Sequence, residues 1–204
     1  MNKARKIADM AIFTAIGVVL NIMSFSSYGF FGRMSLVYAY CYIVGILYGP
    51  LLGASIAILA DLIPALVLPQ GPFNIFLNLG TGLMAFIVGF CVHYKKREWK
   101  IHFNARFAIG IILSFLLVTL GINAYGETMM FNIYPYTFAK TMGASLGITS
   151  PYLMLVLAKA IQQPFWVIMN TAIVYIVVYR LRNLISFRYG LNFFESKKSI
   201  EIEE

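Results

Sequence analysis

The sequence predicts an all-α integral membrane protein with six transmembrane helices and both termini in the cytoplasm. Three observations point there. Of the 204 residues, 60% are hydrophobic and only 12% are charged, whereas an ordinary soluble domain carries about 25% charged residues. The apolar residues fall into six runs separated by breakers or basic stretches. The basic residues gather at one side of those runs. A chain this poor in polar groups cannot clothe a soluble enzyme, and it is too apolar to be a disordered segment. Cys41 and Cys91 both lie inside apolar runs and form neither a disulfide framework nor a zinc pattern.

A bilayer core about 30 Å thick needs roughly 20 mostly apolar residues per helix. The six runs are 7–23, 36–48, 51–68, 73–94, 107–124 and 152–178. Gly49-Pro50 separates the second from the third, and Pro69-Gln70-Gly71-Pro72 separates the third from the fourth. The second run is short for a full span. The whole chain, 1–204, reads as a single membrane domain whose outer connections 24–35, 69–74 and 125–150 form a substrate lid, with 186–204 as a cytoplasmic tail.

Orientation follows from the distribution of Lys and Arg. Lys3, Arg5 and Lys6 precede the first run. Lys95, Lys96, Arg97, Lys100 and Arg106 lie between the fourth and fifth, and Arg180, Arg182, Arg188, Lys197 and Lys198 follow the sixth. These are 13 of the 16 basic residues, leaving Arg33, Lys140 and Lys159 elsewhere. The net charge of +8 is therefore a topology signal, and nucleic acid is not an expected partner. No small-x-small cleavage site follows the first run, so it is expected to be a retained span. A bacterial plasma membrane is the expected location.

The outer connections differ in kind from the cytoplasmic ones. SFSSYGFFGRMS (24–35), PQGPFN (69–74) and YGETMMFNIYPYTFAKTMGASLGITS (125–150) combine aromatics and amides with isolated cations. They suit either the lid of a pocket for an organic anion or an interfacial aromatic belt. At membrane depth, Asp61 costs a few kcal/mol unless paired or wetted, which makes it a site candidate or a helix-pairing group. Lys159, Gln162 and Gln163 share one helical face by spacing, beside Pro164, and Asn170 follows. Asn74 and Asn78 stand four apart at the outer start of the fourth run, and Asn123 and Tyr125 at the outer end of the fifth. A set converging at one depth, with Arg33 and Lys140 above it, reads as a ligand cavity. A lone buried Asn would be helix–helix glue.

No catalytic constellation assembles from these residues, and neither a metal nor a cofactor is expected. Gly80-Thr81-Gly82-Leu83-Met84-Ala85 fits a dinucleotide fingerprint but lies in an apolar run with no preceding strand, so close helix packing is its reading. No GxxxxGK[ST] sequence occurs, so any ATP hydrolysis would take place on other chains.

Ala11 and Ala15 in the first run, with Ala8 before them, are similar to the AxxxA motif of the substrate-binding S components of energy-coupling factor (ECF) vitamin transporters. Gly32-Arg33-Met34-Ser35, GILYGPLLGASIAILADLI and LPQGPF together resemble the folate-type members of that family. The resemblance implies a high-affinity S component that captures a vitamin, folate foremost, at the outer face of the membrane. It then implies delivery by toppling against a transmembrane coupling protein, driven by two ATPase subunits. Ala8, Ala11 and Ala15 would be the partner surface. Phe73, Tyr125 or Trp166 would stack the ring system, Arg33, Lys140 or Lys159 would take carboxylates, and Asp61 or an Asn/Gln amide would read the pterin edge. Another vitamin (pantothenate, a thiamin precursor or queuosine) fits the same fold, and a stand-alone secondary transporter is the alternative from another class.

Overall fold

The computed structural model describes residues 3–23, 25–26, 33–68, 73–93, 103–134, 136–181 and 183. The connection at 94–102, the tail at 186–204, most of 24–32, residues 69–72 and the side chain of Arg33 lie outside the described residues. Helix α1 is Lys3–Ile22. A two-residue antiparallel pair follows, Phe25–Ser26 (β1) against Arg33–Met34 (β2). Then come α2, Val37–Tyr48, α3, Pro50–Val67, and α4, Ile75–His93. A continuous helix α5 runs Phe103–Thr128, a short α6 is Thr137–Ser145, and α7 is Pro151–Arg180.

Four of these, α3, α4, α5 and α7, are long and apolar enough to cross a membrane; α1 and α2 contribute the shorter apolar stretches Ile7–Ile22 and Val37–Tyr48. Each of the six apolar runs in the sequence is a helix. Lipid requires this, because a backbone polar group without a partner there costs several kcal/mol and a helix satisfies its own. The α2–α3 corner turns on Gly49, whose φ of 79° lies in the left-handed region that glycine enters without steric cost. Pro50 then occupies the first turn of α3, where its missing N–H is no loss.

Helix α2 is the core of the bundle. Nine of its residues are buried, on every face, with Cys41, Tyr42, Val44 and Ile46 at or near zero exposure, as expected of a helix that is apolar all round. It packs on α3, α4 and α7, and α1 lies against α3 and α2. Close approach is set by small residues. A Cβ at Gly45 would come within 2.4 Å of the Ala85 carbonyl oxygen, and one at Gly89 within 2.8 Å of the Gly45 carbonyl oxygen. Because those obstacles are backbone, Gly45→Ala should destabilise the protein by about 1–3 kcal/mol, read as a lower midpoint of thermal unfolding in detergent. An unchanged midpoint would mean that α2 and α4 can separate at no cost.

The middle of α5 is a nine-residue π-helix, Phe115–Asn123. Such wide turns are rare and often stand at functional sites. The segment at 125–150, read in the sequence as one long connection, begins as the last turn of α5 and contains α6, which packs on α7 through Ala139 in a small second core with Phe131, Leu155 and Ala158.

Candidate functional site

Most of the buried polar groups among the described residues collect toward one end of the bundle, where α1, α3 and α5 finish and α4 and α7 begin; Asp9, near the start of α1, and Ser114, within α5, lie apart from them. Those at that end form two clusters. The first is centred on Asp61. Asn21 Nδ2 of α1 donates to Oδ1 at 2.5 Å, and Asn78 Nδ2 of α4 donates to Oδ2 at 3.1 Å. The Thr81 hydroxyl stands 3.1 Å from the same Oδ2 and 2.9 Å from the Leu77 carbonyl, with one proton to give. Asn78 also donates to the Ile58 carbonyl oxygen at 3.2 Å. Both carboxylate oxygens are thus met by neutral donors from two other helices, and no Lys or Arg among the described residues pairs with Asp61.

The second cluster lies between α5 and α7. Lys159 Nζ donates to Glu127 Oε1 at 2.9 Å, with side-chain exposures of 9% and 19%. Asn123 precedes Glu127 by four residues on α5, and Gln163 follows Lys159 by four on α7. The two antiparallel helices therefore carry one amide each, a turn deeper than the ion pair. Asn123 Oδ1 and Gln163 Oε1 are buried with no hydrogen-bond partner among the described residues. Asn123 Oδ1 lies over Gly80, where a Cβ would come within 2.1 Å of it. Further along the same face of α7, the fully buried Asn170 accepts from the Ala39 N–H at 3.1 Å and donates to the Trp166 carbonyl at 2.8 Å. Together with Ser35 Oγ, which accepts from the Val37 N–H at 3.1 Å, it satisfies first-turn donors of α2 that have no partner inside the helix.

Of the residues singled out in the sequence, Asp61 and Asn78 meet in the first cluster, and Asn123, Lys159, Gln163 and the buried Trp166 belong to the second. Gln162 is half-buried beside them. Asn74 ties α4 to α5, donating to the Gly126 carbonyl oxygen at 2.7 Å. Phe73 and Tyr125 are about half exposed, and Tyr125 packs edge-on against Phe76. Lys140 is exposed, its ammonium 5.1 Å from the centroid of the Phe131 ring. Arg33 lies in β2, and its side chain is outside the described residues. Ala8, Ala11 and Ala15 share an exposed face of α1, while Asp9 and Gly17 point inward.

Sequence reasoning did not single out Asn21, Thr81 or Glu127. The signal for Glu127 is its spacing of four from Asn123, which becomes visible once residues 124–128 are read as helix. Nothing local in the sequence marks Asn21 or Thr81 as partners of a residue on α3.

The arrangement suits binding. A buried ion pair, bare amide oxygens and an indole at one end of an apolar bundle can hold a small polar molecule. No curated protein matches the chain. The family model of the ECF transporter substrate-specific component matches residues 5–179. This multi-pass membrane protein belongs to that family, the substrate-binding and non-catalytic membrane subunits of ECF importers.

Proposed function

We propose that the chain captures a water-soluble vitamin, folate foremost, at the outer face of a bacterial plasma membrane. It then presents the vitamin to a transmembrane coupling protein driven by two ATPase subunits, toppling against the coupling protein to release it inward. Pantothenate, a thiamin precursor or queuosine would use the same mechanism. The observation that carries the reading is a pair of buried polar clusters toward one end of the bundle, one of which keeps amide oxygens without a partner among the described residues. Buried polar atoms in proteins are almost always satisfied, and exceptions at membrane depth mark functional sites.

The proposed topology has six spans with both termini inside. It is supported by the arrangement of helix ends: the starts of α1 and α5 and the finishes of α4 and α7, beside which the basic residues cluster in the sequence, all lie opposite the polar clusters. The ligand then occupies the outer half. Residues 24–35, 69–74 and 125–150 close over it, with Arg33, Asn74 and Lys140 near the rim. Phe73, Tyr125 and Trp166 supply aromatic faces. Lys159 takes a ligand carboxylate in competition with Glu127.

Titration of the detergent-purified chain with a panel of vitamins, followed by tryptophan fluorescence, tests the proposal, since Trp166 lies in the site. Tight binding of one member is expected. Lys159→Ala, or Arg33→Ala, should weaken an anionic ligand by about 1.5–3 kcal/mol, the worth of a hydrogen bond to a charged group. Binding of no member would remove the capture reading, and unchanged affinity in both variants would move the anion site elsewhere.

A further inference from the structure

We infer that the π-helix of α5 sets the register of the site: the residue it holds in excess of a regular helix turns Asn123 and Glu127 into the bundle and Tyr125 out of it. The inference rests on the capture reading only in treating that wall of α5 as part of the binding site. An α-helix advances about 100° per residue, so one inward residue fixes the direction of the others. Ser114, fully buried, stands just before the wide segment, its hydroxyl 3.5 Å from the Tyr42 hydroxyl of α2. Continued as a regular helix, α5 would point Gly121 and Tyr125 within about 20° of Ser114, and Asn123 and Glu127 about 140–180° away from it. The structure has the reverse. Tyr125 is 51% exposed, Asn123 is 7% exposed, and Glu127 meets Lys159.

Two other observations carry the same slip. A Cβ at Gly80 of α4 would run into both Val118 and Asn123, so the two side chains rest on one point of that helix. Residues five apart diverge by about 140° on an α-helix, but they stand one above the other where bonds run from i to i+5. On the outward side, Leu113, Leu117, Tyr125 and Met129 are all exposed and fall at multiples of four. A regular helix would set the first and last of these about 160° apart. The wide segment therefore acts as one inserted residue. It gives the α5 wall an amide and a carboxylate where the regular register would give a glycine and a tyrosine. Contacts from the neighbours hold the end of α5 in place: the Tyr152 hydroxyl donates to the Leu120 carbonyl oxygen at 3.3 Å, and Asn74 to that of Gly126 at 2.7 Å. Gly121 is the position that can be spared, since a Cβ there would meet only the Leu116 carbonyl oxygen of its own helix, 3.7 Å away.

The test is an asymmetry between losing and gaining one residue. Deleting Gly121 leaves Val118 and Asn123 four apart on a regular helix, which keeps them on one face. Inserting one alanine after Gly121 turns Asn123 and Glu127 by about 100° more. In a helix regular from the start, the two changes would rotate its end by equal angles. The full chain is purified in detergent, and the Lys159–Glu127 coupling is read from the thermal midpoints of Lys159→Met, Glu127→Gln and the double variant in each background. The coupling should persist after the deletion and vanish after the insertion. In titrations with folic acid, biotin, pantothenate and queuosine, the deletion should keep the affinity of a binding member within about threefold, and the insertion should weaken it by about tenfold or more.

A second measurement keeps the helix at its full length. In a chain with Cys41 and Cys91 changed to alanine, spin labels on Tyr125→Cys and Met129→Cys should be mobile and open to the surroundings, whereas a regular helix would bury both. Equal effects of deletion and insertion, or buried labels at those two positions, overturn the inference. So does an affinity unchanged by the insertion, which would take the α5 wall out of the binding site. If no vitamin binds while the coupling asymmetry holds, the capture reading falls and the register assignment stands.

Discussion

Substituting leucine for Ala11 or Ala15 is expected to abolish uptake in cells that hold the full partner set, while the purified variant binds ligand as before. The two residues stand one turn apart on a face of α1 that also exposes Ala8 and touches none of the polar clusters. In lipid there is no hydrophobic force to bring helices together. Association depends on close backbone approach over small side chains, and a leucine there holds the partner helix off. The inward face of α1 is separate: Asn21 bonds Asp61, and Phe13 lends its carbonyl to the Tyr40 hydroxyl at 2.9 Å. The readouts are uptake of labelled vitamin and ligand affinity of the purified protein. Normal uptake by the variant would show that the alanine face is not where the partner docks.

Replacing Asp61 with alanine should cost about 2 kcal/mol or more of stability, since three side chains from α1 and α4 lose their common acceptor. Membrane hydrogen bonds average about 0.6 kcal/mol each, with individual cases near 1.7, and donors left bare in the interior add to the loss. Thermal unfolding in detergent measures it. Asp61→Asn keeps one acceptor oxygen and should fall between the parent and the alanine variant. Parent-like stability in Asp61→Ala would mean that Asn21, Asn78 and Thr81 find other partners. Parent-like stability with lost ligand affinity would move Asp61 from a packing role to a substrate role.

Much of the fold was legible before any geometry was known. The six apolar runs mark the six helices α1 to α5 and α7, because burying twenty backbone amides in lipid leaves a helix little competition. Gly49-Pro50 marks the α2–α3 corner for the same local reason, a positive φ followed by a residue suited to a helix start. The stripe Lys159, Gln162, Gln163 also declared itself, since charge and amides in an apolar helix stand out in one dimension. Spacing alone did not separate Gln163, buried and bare, from the half-buried Gln162.

Partner choice was not legible. Asn170 caps α2 from 131 residues away, and Lys159 meets Glu127 across 32. Glu127 lay in a stretch read as a long connection, because Gly126 and the aromatics around it disguise a last helical turn. The π-helix at Phe115–Asn123 has no sequence signature at all. Helices α4 and α7 pack against it. The contact of Lys140 with the Phe131 ring was not legible either, since α6 packs its Ala139 side on α7 and leaves the next residue outward.

The sequence by itself determined that this chain spans a membrane, where its helices run and which positions within them are polar. These follow from transfer free energies that each residue carries irrespective of its neighbours in space. Only the tertiary structure decided that Asp61 is held by three donors, that Lys159 is already paired, and that Gln163 is left with an oxygen to offer. Satisfaction of a buried polar atom is a property of distances between helices, and no local pattern of residues encodes those distances.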